Sequence, residues 1–161
     1  MRTDKTNYYL DIAETVAQRS TCIRCHYGAI IVKNDEIVST GYNGAPRGRK
    51  NCIDIGSCFR TEHNIPHGTR YESCRSCHGE QNAIISASRN DMLGATLYLT
   101  GLDAKTNAYM ESIDCCSMCK RMIINAGIAT VIIRQNKDSF RTVDVNDWIE
   151  NDDSLTLHDS Y

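Results

Sequence analysis

Two short patches constrain this chain more than anything else in it: Ser76-Cys77-His78-Gly79-Glu80 and Cys115-Cys116-Ser117-Met118-Cys119. Each opens a run that reads as a helix, with a strand between them. A Cys-x-x-Cys on the first turn of a helix turns both sulfurs to one side, and the helix N-terminus favours their thiolate forms. Cys116 and Cys119, with one imidazole nitrogen from His78, make three ligands and leave the fourth position of a tetrahedral zinc open to water. That is the arrangement of a catalytic metal, since zinc draws the pKa of bound water towards neutrality. Glu80, two residues past His78, is placed to take that proton without being a ligand itself. Alone, a Cys-x-x-Cys equally fits a redox pair, and a lone His-x-Glu carries little. In this order, at the heads of two helices, the patches require a fold that brings two helix N-termini onto one ion.

Composition narrows the setting. With 161 residues the chain can build one sizeable core and not two ordinary ones, so residues 1–161 are expected to form a single domain. A hydrophobic fraction of 41% with 24% charged residues is the profile of a soluble globular protein. Lys+Arg 18 against Asp+Glu 20 leaves no basic stripe, which argues against a dedicated nucleic-acid binder. No apolar run has the length of a membrane span and residues 1–7 do not read as a signal peptide, so no membrane partner and a cytoplasmic location are expected. In that compartment nine cysteines point to metal ligation or catalysis rather than a disulfide frame, with some serving as buried small hydrophobes.

Along the chain, Tyr9, Ile12, Ala13 and Val16 mark one face of an amphipathic helix over residues 4–19. Residues 28–32 and 37–40 read as the strands of a hairpin. Residues 41–77 hold both prolines and show little periodicity, the profile of a functional or stapled segment. A helix is predicted over 80–89, a strand over 95–100, a helix over 116–126 closed by Gly127, and a strand over 130–134. From Gln135 the chain reads as a polar extension, 135–161, with one more helix around 145–150.

His-x-Glu followed by Pro-Cys-x-x-Cys is the signature of zinc-dependent nucleobase deaminases. With it, the chain resembles the cytidine/deoxycytidylate (dCMP) deaminase family, its bacterial dCMP deaminases and late-competence deaminases in particular. The resemblance runs from Arg19 to Arg134. It rests on Arg19-Ser20-Thr21-Cys22, Gly41-Tyr42-Asn43-Gly44-Ala45-Pro46, His78-Gly79-Glu80-Gln81-Asn82-Ala83-Ile84, and Cys116-x-x-Cys119-Lys120 with Asn125-Ala126-Gly127-Ile128. It implies a three-layer α/β/α cytidine deaminase-like sandwich with a mixed five-stranded sheet. The activity it implies is zinc-dependent hydrolysis of dCMP to dUMP and ammonia, with Glu80 moving protons to N3 and the leaving amine.

By the same resemblance Asn43 hydrogen-bonds the sugar, the Gly79 amide contacts the base, and Arg89, along the helix that starts at His78, holds the 5′-phosphate. A guanidinium suits bidentate capture of phosphate. On local grounds alone Asn43 is turn chemistry and Arg89 a solvated charge near a helix C-terminus. Some relatives hold a structural zinc near the irregular segment, which makes Cys22, Cys52, Cys58 and Cys74 candidate ligands for a second zinc. Cys25, His26, His63, His67 and Cys77 compete for that role. A homo-oligomer, dimer or hexamer, with activation by dCTP and inhibition by dTTP is implied as well.

Three departures from the family pattern bear on specificity. Cys115 stands where proline precedes the ligand pair, and could compete as a ligand. Gly79 replaces alanine, and residues 102–114 form an insertion between strand and zinc helix. Three rival readings stay open: deamination of another nucleotide or base such as guanine or a tRNA base, a non-catalytic zinc protein linked to DNA uptake, and a thiol redox protein.

Overall fold

The apolar spacing from Tyr9 to Val16 produces α1 (Lys5–Ala17), opened by Asp4, whose carboxylate accepts from the Asn7 amide. The structure, a computed structural model, describes residues 1–155. β1 (Cys25–Lys33) and β2 (Glu36–Tyr42) form the expected hairpin, and Asn34 and Asp35 at its turn both take positive φ. β3 (Thr96–Asp103), β4 (Thr130–Arg134) and β5 (Phe140–Asp144) complete a sheet of order β2-β1-β3-β4-β5. The β3–β4 pair is parallel and the others antiparallel, so the sheet is mixed. The crossover between β3 and β4 carries α6 (Ser117–Ala126), which ends on Gly127 in the left-handed conformation.

Strand alternation sends neighbouring residues to opposite faces. Ile30, Val32, Tyr98 and Ile132 pack with Leu10 and Ala13 of α1 on one side. Ala29, Ile31, Leu97, Leu99, Val131 and Ile133 face the other, against α4 (Gly79–Ile85), α6 and α7 (Val145–Asn151) through Ala83, Ile123 and Trp148. Each fully buried Leu or Ile contributes about 1.5–3 kcal/mol, so the two half-cores hold a helical layer on each face of the sheet. This is the α/β/α architecture expected. Arg134, fully buried, pins α1 to β4 by pairing with Asp11 at 2.8 Å and Glu14 at 3.3 Å. Among the described residues no helix is long and apolar enough to cross a membrane.

Four stretches differ from the reading of the residues. The helix predicted over 80–89 stops at Ile85; Ser88 then caps a separate short helix, α5 (Arg89–Met92), through the Asp91 amide. Residues 41–77 contain two one-turn helices, α2 (Cys52–Ile55) and α3 (Phe59–Glu62), held by loop hydrogen bonds. Residues 102–114 finish β3, turn around the Asp103 carboxylate, and return along the sheet with Tyr109 opposite Leu102. The polar extension bears the helix expected around 145–150, as α7, and differs only in adding the fifth strand, while residues 156–161 lie outside the described residues.

Candidate active site

The N-termini of α4 and α6 converge at one place. His78 is the N-cap of α4, and its own amide donates to Gln81 Oε1 at 2.8 Å, which fixes the turn that presents the imidazole. Cys116 is the N-cap of α6, its sulfur accepting from the Cys119 amide. His78 Nδ1 lies 3.5 Å from Cys116 Sγ and 3.4 Å from Cys119 Sγ. A tetrahedral zinc with bonds of about 2.3 Å to sulfur and about 2.1 Å to nitrogen separates such donors by about 3.6 Å. The donor set fits that ion. Among the described residues it is the one group of three or more such ligands whose donor atoms lie within 4.8 Å of one another.

The electrostatics favour a metal as well. The hydrogen bond from Cys119, then that from His78, holds the Cys116 thiol down at about 4. Its partner moves the opposite way: the Cys116 thiolate beside it, with burial, keeps Cys119 protonated. Burial alone would depress the His78 imidazole, but the Cys116 hydrogen bond and the Glu80 charge outweigh it and raise its pKa. Without metal the cluster therefore retains a proton that a cation must displace. Zinc titrated into metal-free protein at pH 7 is expected to release at least about one proton per site. Calorimetry in buffers of different ionisation enthalpy measures this, and uptake without proton release would contradict the assignment.

Glu80, on the first turn of α4, is 4% exposed, and burial raises its carboxyl above the ordinary range. A raised carboxyl pKa beside a metal site is how a general acid/base is tuned towards neutrality. Cys115, 3% exposed, shares a hydrogen bond with that carboxyl, and burial holds its thiol protonated. The cysteine in the proline position thus faces Glu80 and stands outside the ligand cluster.

His78, Glu80 and Cys116 line a cavity of about 90 Å³ together with Tyr27, Asn43, Arg60, Tyr71 and Asp114. The Tyr71 and His78 rings meet at right angles, with centroids 5.2 Å apart. Arg60, buried, supports Tyr71 from behind: its guanidinium carbon lies 4.6 Å from the ring centroid while its nitrogens donate to the carbonyls of Arg70 and Pro66. Asn43 is buried at the cavity edge as a knot between segments. Its Oδ1 accepts from Ser20 Oγ and the Tyr27 amide, and its Nδ2 donates to Cys25 O. Gly79 is buried beneath the site, where a side-chain carbon would press on Gly41 O at 3.2 Å.

Arg89 is not brought to the cavity. Because α4 ends early, its exposed side chain turns to donate to Asn125 O at 2.9 Å, in a shallow depression with Ile84, Met92 and Met122. The four cysteines expected at a second zinc are not gathered to ligand distance either. Cys22, Cys58 and Cys74 line the cavity instead, and Cys22 pairs with Cys25. Tyr71, Arg24 and Asp114 were missed as cavity residues. Asp114 had a signal in its place beside the cysteine pair, and Arg24 in its place inside Cys22-x-x-Cys25, whereas Tyr71 had none.

The model of the cytidine and deoxycytidylate deaminase zinc-binding region matches residues 3–135. The chain belongs to this family. Deoxycytidylate deaminase of Mycobacterium phage D29 is 36% identical over 81% of this chain and 94% of its own. That of Saccharomyces cerevisiae is 31% identical over 89% of this chain, which spans only 43% of the yeast protein. Among solved structures, dCMP deaminase of cyanophage S-TIM5 in complex with dCMP and dUMP superposes with a TM-score of 0.56 at 27% identity, covering 84% of this chain and 85% of that one. Family membership accounts for both the metal donor set and the mixed sheet that positions it.

Proposed function

We propose that this chain is a dCMP deaminase, hydrolysing dCMP to dUMP and ammonia. The observation that carries the proposal is the placement of a buried Glu80 beside the His78–Cys116–Cys119 donor set in one cavity. The two phage dCMP deaminases, matched over 81% and 84% of this chain, support the choice of base. His78, Cys116 and Cys119 would hold a zinc ion, which would supply the Lewis acidity needed to activate water at neutral pH. Glu80 would carry one proton of that water to N3 of the cytosine as the C4–O bond forms, and then the remaining hydroxyl proton to the amine, which leaves as ammonia when the C4–N bond breaks. Burial suits it to both directions of transfer, because a raised pKa lets it hold a proton near neutrality. Tyr27 and Tyr71 offer flat apolar walls for a pyrimidine ring, and Asn43 closes the cavity edge where the sugar would lie. Assembly into a homo-oligomer and control by dCTP and dTTP belong to the same proposal.

Purified protein is expected to bind one zinc at this site and to release ammonia from dCMP, with dUMP formed in equal amount. Zinc-loaded protein inert to cytosine, adenine and guanine nucleotides would end the proposal. Turnover of a guanine or adenine nucleotide in preference to dCMP would move it to another base.

A further inference from the structure

The cavity wall holds two thiols that the deamination chemistry does not use. Cys22 and Cys25, both half-buried and free, line it where the chain enters β1. The Cys25 thiol donates to the sulfur of Cys22, which also accepts from the Arg24 amide at 3.4 Å. The Cys25 hydrogen bond, more than any other contact, brings the Cys22 thiol down to about 5. The same bond, with burial, holds Cys25 protonated. A thiolate and a thiol in contact are the two reactants of a dithiol/disulfide couple.

A metal does not account for this pair. Among the described residues no third histidine, cysteine or carboxylate donor joins Cys22 and Cys25 within 4.8 Å, as His78 joins Cys116 and Cys119. The sulfur of Cys58, on the same wall, accepts from the Arg24 guanidinium instead. Both residues of the pair are tied to Asn43 at the cavity edge. The Cys22 amide donates to Ser20 Oγ at 3.3 Å, and that hydroxyl donates to Asn43 Oδ1 at 2.6 Å. The Cys25 carbonyl accepts from Asn43 Nδ2 at 2.9 Å. A disulfide sets its sulfurs about 2.05 Å apart, far inside the contact distance of two thiols. Closing one here draws both residues together and pulls on the Asn43 side chain from two sides.

We propose that Cys22 and Cys25 form a reversible redox modification site on the cavity wall, oxidised by a low-molecular-weight disulfide such as glutathione disulfide. The Cys22 thiolate attacks one sulfur of the small disulfide, whose S–S bond breaks and expels one thiolate. Cys25 then attacks the Cys22 sulfur of this mixed disulfide, and the second thiolate leaves with the Cys25 proton. The protein dithiol has lost two electrons, and the small disulfide has become two thiols. Cys22 is also the better leaving group of the pair, so a reducing thiol reopens the bond by attack on Cys25. The effect on turnover acts through Asn43 and rests on the dCMP reading above; the thiol chemistry stands without it.

The test equilibrates zinc-loaded wild type with rising ratios of glutathione disulfide to glutathione, quenches with acid, alkylates and digests. Trypsin cuts after Arg19, Arg24 and Lys33, so a Cys22–Cys25 bond joins peptides 20–24 and 25–33. The linked peptides are expected to appear as the ratio rises and to vanish when a dithiol reductant is added. Over the same range kcat/KM for dCMP should fall about 10- to 100-fold, the scale of a displacement of about 1 Å at a positioning group. Activity should return with the reductant, and zinc content should stay constant throughout. Cys25→Ser, compared with its own reduced form, should stop at one glutathione on Cys22. Linkage of Cys22 to another cysteine, or no linkage at all, would overturn the proposal. So would loss of zinc along with activity, which places the oxidation at Cys116 and Cys119, or a linked protein with undiminished turnover. A reduced wild type inert to dCMP would sink the deaminase reading, while the peptides would still decide the pair.

Discussion

Glu80→Gln is expected to keep its zinc and lose turnover by about 10³-fold, the middle of the range for a removed general acid/base. Glutamine has the shape of the carboxyl but cannot carry the proton from water to the base. Because Glu80 is not among the three clustered donors, metal content should match the wild type. The same substitution has a second signature, in stability. Burial raises the Glu80 pKa, so the folded chain binds this proton more tightly than the unfolded one. Its contribution is full below the unfolded pKa, near the ordinary 4.5, and is lost as pH rises through the folded value. Metal-free Glu80→Gln should therefore melt higher than metal-free wild type at pH 8, with the gap closing towards pH 5. Thermal unfolding with chelator and a dCMP assay read both effects, and a variant that lost zinc along with activity would speak for a ligand role.

Gly41→Ala is the second large effect, and it acts from outside the cavity. At Gly41 the backbone of β2 runs directly against α4. A methyl carbon there would fall inside contact distance of Gly79 O and Ala83 N, and 2.8 Å from Asn82 C. All three are backbone atoms, so no side chain can rotate away. Ser39 Oγ, donating to Ala83 O, and Asn82 Nδ2, donating to Tyr42 O, hold the two elements at this spacing. The helix must move, and it carries His78 and Glu80. Destabilisation of about 3 kcal/mol is expected, the upper end for overpacking, which lowers Tm by roughly 6–12 °C in a domain of this size. Zinc occupancy should fall with it. Thr40→Ala, at an exposed neighbour on the same strand, is the control and should stay near wild type in both measurements. A Gly41→Ala protein with unchanged Tm would mean that strand and helix are not in backbone contact.

The difference between these two sites explains how much of the molecule was legible in the sequence. The metal donors and Glu80 each sit at a helix N-cap or in the first turn after it, so their geometry follows from local spacing. Gly41 matters because of what lies across from it, and nothing within its own strand announces a helix backbone there. Arg89 illustrates the same limit. Eleven residues past His78 would put it three turns along one helix, but Ser88 and Asp91 form a cap that starts a new one. That cap was visible in the sequence; the direction of the arginine side chain, set by Asn125 on α6, was not. β5 escaped because its burial alternates between exposed and half-buried positions, which reads as a polar tail. The wall formed by Arg60 and Tyr71 depends on carbonyls of a loop, whose positions no periodicity encodes.

The convergence of two helix N-termini on one donor set has a consequence beyond chemistry. α4 and α6 are separated in the chain by the whole of β3 and the hairpin after it, and an ion held by His78, Cys116 and Cys119 fastens them across that distance. A ligand that binds only the folded form adds RT ln(1 + [L]/Kd) to its stability, about 2.7 kcal/mol at a hundredfold excess over Kd. The folded fraction of this protein is then tied to the free zinc around it. A fall in zinc supply withdraws both the activity and the scaffold that presents it.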